Sequence, residues 1–244
     1  MDPVDFGFKK VSPDEKTSLV RGVFDSVADR YDLMNDLMSF GTHRLFKRMT
    51  LQMSGVRSGQ KVLDLAGGTG DLAALFAPVV GSEGLVVLTD INDEMMRVGR
   101  DRLLDEGLAQ VQFCQADGEQ LPFPDASFDC VSIGFGLRNF TDKARALKEL
   151  LRILKPGGVL LVLEFSKPEN PLVDAGYRMF QSLWPGMGRL LAGDSASYQY
   201  LVESIRVHPT QAALKLMMED AGFQDVEYHN LLSGVAAIHR GVRG

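Results

Sequence analysis

The stretch KVLDLAGGTGD, residues 61–71, decides the fold of this 244-residue chain. An apolar run over 61–65 has the composition of a buried strand and leads directly into a loop with three glycines. Glycine has no Cβ, so the backbone can turn sharply in this loop and approach a ligand closely. Residues 71–77 follow with helical spacing. The stretch therefore predicts a nucleotide-like ligand at the carboxyl end of the first strand of an α/β sheet.

Two cofactors bind through such a loop, and the loop's spacing separates them poorly. One is a dinucleotide, whose pyrophosphate lies at the helix N-terminus; the other is S-adenosylmethionine, a sulfonium without a phosphate. The string GTGDLA at 68–73 matches the dinucleotide fingerprint, and Asp90 lies where a ribose-binding acid belongs. S-adenosylmethionine is favoured by Asp64, which precedes the glycines, and by a second acidic segment, QADGEQLPF at 115–123. In methyltransferases this later segment lies along the adenine.

Composition and charge fit a single catalytic domain over residues 1–244. Hydrophobic residues make up 45% of the chain, and the net charge of −6 argues against general nucleic-acid binding. Cys114 and Cys130 fall in predicted strands without metal-ligand spacing, so we expect buried thiols in a reducing compartment and no metal site. No apolar run approaches the ~18 residues that cross a bilayer. Because the N-terminal residues do not resemble a targeting peptide, we expect a cytoplasmic protein, with peripheral membrane contact left open.

Strand and helix signals alternate beyond an N-terminal helical layer that covers residues 1–58. Ser12 and Pro13 mark the start of one helix in this layer. We predict strands over 60–65, 85–90, 111–115, 128–134 and 159–165 and helices over 71–79, 93–106 and 142–154. The string KPGG at 155–158 ends the last of these helices. Strands that alternate with helices require a parallel sheet with helices on both faces.

Two later segments depart from this alternation. Residues 166–208 form a long insertion, which we expect to line a substrate site, before a last helix that ends at Gly222. Residues 223–240 then supply two strands, close enough in sequence for an antiparallel hairpin. A parallel sheet finished by such a hairpin is typical of class I methyltransferases. The predicted fold is therefore α/β and Rossmann-like, with a seven-stranded, mostly parallel sheet.

Four further strings, together with the glycine loop, resemble one methyltransferase family. The strings are YDLMNDLMSFGTHRLF at 31–46, LPFPDASFD at 121–129, FGLRNFTD at 135–142 and RILKPGGVLLVLEFSKP at 152–168. They resemble the ubiquinone/menaquinone biosynthesis C-methyltransferase family of the UbiE type over nearly the whole chain. The PFPD and KPGG strings are shared by many small-molecule methyltransferases, whereas YDLMND with SFG-x-HR, and FGLRN, are more specific. The chain departs from the family at Phe46, where tryptophan is usual, and at Gly134, where serine is common.

The resemblance implies methyl transfer from S-adenosylmethionine to a ring carbon of a prenylated quinol. The substrate would be 2-demethylmenaquinol, 2-polyprenyl-6-methoxy-1,4-benzoquinol or both. Loss of a hydroxyl proton makes the ortho carbon of a quinol nucleophilic, so the protein must align that carbon with the methyl group and exclude water. Two alternatives stay open: an NAD-dependent oxidoreductase built on the glycine loop, and a non-catalytic scaffold among other quinone-biosynthesis enzymes.

The predicted cofactor site combines the glycine loop with one acid before it and four positions after it. Asp90 ends the second strand, where its carboxylate can accept both ribose hydroxyls; a helix-capping acid is the alternative. The resemblance implies that Thr69 contacts the cofactor and that Asp117 and Gly118 border the adenine. The complete predicted set is Asp64, Gly67, Gly68, Thr69, Gly70, Asp90, Asp117, Gly118 and Gly134.

The predicted catalytic residues are Arg138, Asn139 and Tyr31. Arginine stays protonated, so Arg138 cannot remove a proton but can stabilise a developing quinolate; its alternative is an ion pair with Asp142. Asn139 would orient the ring. Tyr31 would cover the cofactor or touch the quinol hydroxyl, or belong to the core. His208 is a candidate base, although a lone histidine is more often structural.

Aromatic residues in the insertion give a further prediction. Tyr177, Phe180, Trp184 and Met187 could line an apolar entrance for an isoprenoid tail. Their spacing is equally that of a helix packed onto the sheet.

Overall fold

The computed structural model describes residues 3–27, 35–36, 38–39 and 41–244, so Tyr31 lies outside the described residues. The N-terminal elements are β1 (Val4–Phe6), β2 (Lys9–Val11), α1 (Pro13–Val27) and α2 (Thr42–Ser54). Ser12 caps α1 as predicted, because its Oγ accepts the backbone N–H of Glu15 at 3.3 Å. The β1–β2 hairpin was not predicted, since strands of three residues are too short to leave a clear alternation.

The alternating part of the chain follows the predicted order closely. Its elements are β3 (Lys61–Leu65), α3 (Asp71–Val80), β4 (Leu85–Asp90), α4 (Asp93–Asp105), β5 (Gln112–Gln115), β6 (Phe128–Gly134), α5 (Lys143–Ile153) and β7 (Leu154–Phe165). The insertion holds two helices, α6 (Pro171–Ala192) and α7 (Ala196–Val207). The chain continues with α8 (Gln211–Ala221), β8 (Phe223–Leu231) and β9 (Ala236–Arg243).

Seven of the described strands form one sheet in the order β5-β4-β3-β6-β7-β9-β8. The first five are parallel, whereas β9 is antiparallel to both β7 and β8. This arrangement confirms the predicted fold class. From β3 the chain builds outward to β4 and β5 and then returns to place β6 on the other side. The carboxyl ends of β3 and β6 therefore flank a topological switch point, where ligands bind in open α/β sheets.

Strand β7 is longer than predicted because the KPGG string lies inside it. The helix ends at Ile153 as expected, but Leu154 already pairs with Phe128 of β6. The register shifts between this pair and the next, Cys130 with Val159, and Gly157 has a φ of 77°. A bulge of this kind needs a residue that tolerates the left-handed region, which glycine does.

Apolar layers cover both faces of the sheet. On one face β3, β6 and β7 pack against α5 and α8, through fully buried residues such as Leu63, Leu147 and Leu160. On the other face they pack against α2, α3, α6 and α7, with Phe76 and Trp184 completely buried. Both faces of these strands are thus covered by core, and their carboxyl ends remain open to a ligand.

Candidate active site

A pocket of about 820 Å³, including its open mouth, lies at the carboxyl edge of the sheet. Its walls are the segments that follow β3, β4, β5 and β6, and α1 covers one side. Of the residues predicted to form the site, it brings together Gly68, Asp90, Asp117, Gly118 and Asn139. These five come from four different loops, so the sheet topology alone assembles them.

The glycine loop turns sharply after β3 and packs closely against β4. Gly68 and Gly70 have φ angles of 53° and 87°, in the left-handed region that favours glycine. A Cβ at Gly67 would lie 2.9 Å from Leu88 Cγ and 3.0 Å from Asp64 Oδ2, so a side chain there would displace its neighbours. The loop therefore presents bare backbone to the pocket.

Asp90 is fixed by the backbone of two loops. Its Oδ2 accepts the N–H of Gly68 and its Oδ1 accepts the N–H of Asn92, each at 2.9 Å. Desolvation raises the pKa of this carboxyl above its usual value. The helix-capping alternative is wrong, because Asn92 caps α4 by accepting the N–H of Met95 at 2.9 Å. Asp90 instead lines the pocket, where its other lone pairs can accept hydrogen bonds from hydroxyl groups.

The segment after β5 forms a narrow slot with Phe140. A Cβ on Gly118 would lie 2.7 Å from the Phe140 ring, so only glycine lets this ring lie against the backbone. Asp117 Oδ1 accepts the N–H of Glu119 at 2.9 Å, and Glu119 accepts the N–H of Thr141 at 2.7 Å. The slot thus has an apolar face and an exposed carboxylate at its rim. Sequence reasoning missed Phe140 and Glu119, whose only signal was their place in the two motif strings.

Helix α1 closes the pocket from above. Val20 and Phe24, which the sequence marked as a helical stripe, line the pocket rather than only the core. The guanidinium of Arg21 donates to the carbonyl of Ile91 at 3.0 Å, and Lys16 Nζ donates to the carbonyl of Phe140 at 2.9 Å. These bonds tie the N-terminal layer to the loops that form the walls.

Five predicted cofactor residues do not line the large pocket with a side chain or backbone. Asp64, Gly67 and Gly134 line a second cavity of about 190 Å³ on the other side of the glycine loop, together with Lys47 and Asp71. Thr69, by contrast, is buried within the loop and lines neither cavity. Gly70 likewise lies behind the loop, where a Cβ would meet Leu103 at 2.8 Å.

Arg138 is held behind the pocket by a buried ion pair. Its guanidinium donates to Glu164 Oε1 at 2.9 Å and to the carbonyl of Phe135. The same carboxylate accepts the backbone N–H of Arg138 at 3.1 Å. The expected alternative, a pair with Asp142, is wrong, because Asp142 caps α5 by accepting the N–H of Arg145 at 2.9 Å. Arg138 does not line the pocket, so its contact with a substrate stays a prediction.

Asn139 connects the pocket to the insertion. Its Oδ1 accepts the hydroxyl of Tyr200, on α7, at 3.0 Å. Tyr200 also stacks on Phe6 of the N-terminal hairpin, with ring centroids 4.4 Å apart. Tyr200 was not predicted as a site residue, since 61 residues separate it from Asn139 and nothing local relates them.

The insertion buries one aromatic side chain and several polar groups. Trp184 is completely buried, with Phe180 half-buried against it, so Trp184 packs into the core and does not form an exposed entrance. A role of Phe180 in an entrance stays a prediction. Among the residues that the structure describes, Trp184 Nε1, Tyr177 Oη, Gln181 Nε2 and His208 Nδ1 are buried without a hydrogen-bond partner. Burial, followed by the nearby cations, holds the pKa of His208 well below its usual value, so this imidazole is neutral at pH 7.

The parallel strands of this sheet are followed by an antiparallel pair, and a pocket of adenosine size lies at the switch point. This combination is typical of the class I methyltransferases, which use S-adenosylmethionine. Solved structures share this fold. A putative methyltransferase bound to the Haloferax volcanii Trm112 activator has a TM-score of 0.66 at 19% identity, covering 90% of this chain and 97% of that one. A SAM-dependent methyltransferase from Aquifex aeolicus has a TM-score of 0.64 at 19% identity, covering 87% and 98%.

The chain belongs to the ubiE/COQ5 methyltransferase family, whose model matches residues 9–243. It is 58% identical over 240 residues to the ubiquinone/menaquinone biosynthesis C-methyltransferase UbiE of Pseudomonas putida (strain W619), covering 98% of this chain and 94% of that protein. The protein of the same name from Pseudomonas fluorescens (strain SBW25) matches with the same identity and coverage. The predicted family, enzyme class and cofactor are confirmed, and the NAD-dependent alternative is set aside.

Proposed function

We propose that this protein transfers a methyl group from S-adenosylmethionine to a ring carbon of a prenylated quinol in menaquinone or ubiquinone biosynthesis. One observation carries the proposal: the same pocket is lined by Asp90 and Asp117, whose carboxylates suit an adenosine, and by Asn139. Asn139 belongs to the FGLRN motif through which the chain resembles its family. Relatives that are 58% identical over almost the whole chain bear the name of this activity.

The large pocket has the chemistry that an adenosine requires. Asp90 offers a fixed carboxylate for the two ribose hydroxyls, and Asp117 offers an acceptor for the adenine amino group. Phe140, lying against Gly118, supplies an apolar face for the flat base. When bound, the cofactor supplies the electrophilic methyl group on its sulfonium. Each contact of the chain is already positioned, because backbone groups hold both carboxylates.

We propose that the quinol ring lies between Asn139 and the inner face of α6 and α7. Tyr200 holds the Asn139 carbonyl oxygen, which leaves the amide N–H groups to donate to a quinol oxygen. Arg138, bound to Glu164, holds the turn that carries Asn139 and acts as a positioning residue. In this proposal Asn139, positioned by Arg138, contacts one side of the ring, and polar groups of the insertion contact the other.

His208 is the candidate that accepts the hydroxyl proton of the quinol. Its imidazole is neutral because its pKa is lowered by burial, and its Nδ1 has no partner among the described residues. A neutral imidazole can take up a proton, whereas a guanidinium cannot. Removal of the proton makes the ring carbon nucleophilic. His208→Gln should therefore slow methyl transfer without changing the affinity for S-adenosylhomocysteine.

The outer face of α6 is the part that we propose contacts a membrane. No helix among the described residues is long and apolar enough to span one. Leu172, Met179 and Leu183 nevertheless expose 85%, 71% and 57% of their surfaces on one side of α6, beside the exposed Arg178 and Arg189. A prenyl tail stays in the bilayer, so a face with leucines, methionine and arginines suits an anionic lipid surface.

Vesicle binding tests this face. Substitution of Met179 and Leu183 by serine should weaken co-sedimentation with vesicles of phosphatidylglycerol and phosphatidylethanolamine several-fold. Serine at Leu216, an exposed leucine on α8, is the matched control and should change nothing. Equal binding of both variants would contradict the assignment.

Reconstitution tests the proposed activity. The purified protein would be incubated with methyl-labelled S-adenosylmethionine and with reduced demethylmenaquinol or reduced methoxy-benzoquinol, and the products identified by mass spectrometry. Label on a ring carbon of either quinol supports the proposal, and the preferred quinol identifies the substrate. Binding of S-adenosylhomocysteine without methyl transfer to either quinol would favour the scaffold alternative instead.

A further inference from the structure

The β1–β2 hairpin at the start of the chain packs on α7, at the residue that holds Asn139. Phe6 ends β1, and its ring stacks on the ring of Tyr200 with centroids 4.4 Å apart and 20° between the planes. The Tyr200 hydroxyl donates to Asn139 Oδ1 at 3.0 Å. Asn139 lines the large pocket, so a continuous series of contacts runs from the hairpin to the pocket wall.

The turn of this hairpin fits closely on α7 because it contains a glycine. Gly7 is buried and has a φ of 57°, in the left-handed region. A Cβ on Gly7 would lie 2.9 Å from Glu203 Cβ and would overlap the carboxylate of the same residue. That carboxylate accepts the backbone N–H of Phe8 at 3.1 Å. Since Tyr200 and Glu203 are three residues apart on α7, they lie on one side of the helix, and the hairpin contacts both.

The hairpin and α7 depend on each other for their positions. Each strand has three residues, and a two-stranded hairpin of this length is marginal in water without packing against other elements. Its cross-strand ion pair, Asp5 with Lys10 at 2.8 Å, is exposed and contributes little. Phe6 in turn covers the ring of Tyr200, which is 7% exposed. Loss of the Phe6 ring would therefore free both the hairpin and Tyr200 to move.

The Tyr200 hydroxyl determines which end of the Asn139 amide faces a ligand. Burial raises the pKa of this hydroxyl above its usual value, so the group stays protonated and can donate. An amide has an oxygen that accepts and a nitrogen that donates, and the torsion between them and the chain is soft. With its oxygen held by Tyr200, Asn139 keeps its N–H groups for a ligand. Without that bond the amide could turn over and present an acceptor instead.

We propose that the β1–β2 hairpin is a positioning element for the quinol: Phe6 fixes the ring of Tyr200, and the Tyr200 hydroxyl orients the Asn139 amide toward a quinol oxygen. This assignment rests on the proposed function, since it takes a quinol as the ligand of Asn139. It makes Phe6 a positioning residue for methyl transfer, although Phe6 does not line the large pocket. The hairpin thereby gains a role in the reaction that no sequence motif indicated.

The competing explanation is that the hairpin only anchors α1, which follows β2 along the chain. Thr17, Val20 and Phe24 of α1 line the large pocket. An anchor of α1 would act on the affinity for the cofactor, because a displaced α1 would uncover the pocket. A positioning element for Asn139 would act on the rate of methyl transfer and leave the affinity for the cofactor unchanged.

A double-mutant cycle separates these explanations. Single-turnover rates at saturating S-adenosylmethionine would be measured for the unaltered protein, Phe6→Ala, Tyr200→Phe and the double variant, with the reduced quinol that the unaltered protein methylates. Phe6→Ala should lower the rate about two- to tenfold and leave the affinity for S-adenosylhomocysteine unchanged in calorimetric titration. Tyr200→Phe keeps the ring but lacks the hydroxyl. In that background Phe6→Ala should have almost no further effect on the rate, because the bond to Asn139 is already absent.

Two more variants of the hairpin complete the cycle. Phe6→Tyr keeps an aromatic ring for the stack and should retain most of the rate. Phe8→Ala removes an aromatic ring of the same hairpin that is 59% exposed, and it should change neither the rate nor the affinity for S-adenosylhomocysteine. A rate loss of equal size with and without the Tyr200 hydroxyl would overturn the proposal, as would a loss confined to cofactor affinity.

The side-chain amide of Asn139 gives a readout that needs no quinol. Its N–H resonances in nuclear magnetic resonance spectra are identified by their absence from Asn139→Asp. In Phe6→Ala they should move in the direction that they take in Tyr200→Phe, and in Phe8→Ala they should stay in place. Unmoved resonances in Phe6→Ala would overturn the proposal. Absence of methyl transfer by the unaltered protein would overturn the proposed function instead, and these resonances would still decide whether the hairpin orients Asn139.

Discussion

Two neighbouring regions, the pocket around Asp90 (the adenosine side) and the insertion over residues 166–208 (the insertion side), satisfy their polar groups in different ways. On the adenosine side, backbone N–H groups fix Asp90 and Asp117 before any ligand arrives. On the insertion side, Tyr177, Gln181 and His208 bury polar atoms that have no partner among the described residues. Unsatisfied buried groups cost free energy, so the second region gains more from a polar ligand than the first. We infer that the cofactor site is preformed and that the quinol completes its own.

The largest effect should come from breaking the buried ion pair between Arg138 and Glu164. Arg138→Leu leaves Glu164 buried at 2% exposure without its cation and should lower the free energy of unfolding by about 3–5 kcal/mol. Urea unfolding measures this loss. The matched control is Arg178→Leu, which removes an exposed pair with Asp174 and should cost less than about 1 kcal/mol. Similar losses in both variants would mean that the buried Arg138 pair contributes no more to the free energy of unfolding than an exposed pair does.

Stability should also depend on pH through Asp64. Because burial raises the pKa of this carboxyl to about 7 in the folded state, above its ordinary value of 3.8, the folded protein binds the proton more tightly than the unfolded chain. The contribution is fully present below pH 3.8 and is lost as the pH rises toward 7 and above. Between pH 5 and pH 8 it should amount to about 2–3 kcal/mol. The difference in unfolding free energy between the unaltered protein and Asp64→Asn isolates this contribution. A difference that does not change with pH would contradict the raised pKa of Asp64.

The cofactor side can be tested with a smaller change. Asp90→Asn keeps a side chain of the same shape but removes the charge that the ribose hydroxyls would meet. Its affinity for S-adenosylhomocysteine should fall by about 1.5–3 kcal/mol in calorimetric titration. Asp220→Asn, at an exposed position of α8, provides the control. Unchanged affinity in the Asp90 variant would remove this residue from the cofactor site.

The insertion side should respond in rate rather than in cofactor affinity. Tyr200→Phe removes the hydroxyl that holds Asn139. It should raise the activation free energy of methyl transfer by about 0.5–1.5 kcal/mol and slow the reaction accordingly. Single-turnover measurements with saturating cofactor would detect it, and S-adenosylhomocysteine should bind as before. Tyr228→Phe, where the ring packs on His239 at the other end of the sheet, controls for the loss of a hydroxyl. A lower affinity for S-adenosylhomocysteine with an unchanged rate of methyl transfer would place Tyr200 on the cofactor side instead.

The same two regions differ in how far the sequence predicts them. Asp90 and Gly118 follow strands of a repeating β–α pattern, so their spacing places them at one edge of the sheet. Arg138 needs Glu164 from a neighbouring strand, and its choice of this partner over the nearby Asp142 depends on packing that no local pattern records. Trp184 shows the same limit, because a helix that lines an entrance and one that packs onto a sheet have identical spacing.

Lys47 and Tyr200 were missed for a related reason. Each belongs to a helix whose polar residues have the pattern of a solvated face, and each meets its partner only when the helix docks. Lys47 meets Asp71 across 24 residues, and Tyr200 meets Asn139 across 61. Tertiary packing thus decides which polar side chains of the two helical layers reach the site.

The place of β9 has a consequence for the order in which the molecule can assemble. This strand lies inside the sheet between β7 and β8, yet it follows every other strand along the chain, and its pairing of Val242 with Val159 joins residues far apart in sequence. During synthesis β7 must keep an open edge until residue 243 emerges, and contacts of such long range form late. The strands that carry the adenosine site need no such partner. The strands that lead to Asp90 and Asp117 can therefore pair on the ribosome before β9 closes the sheet.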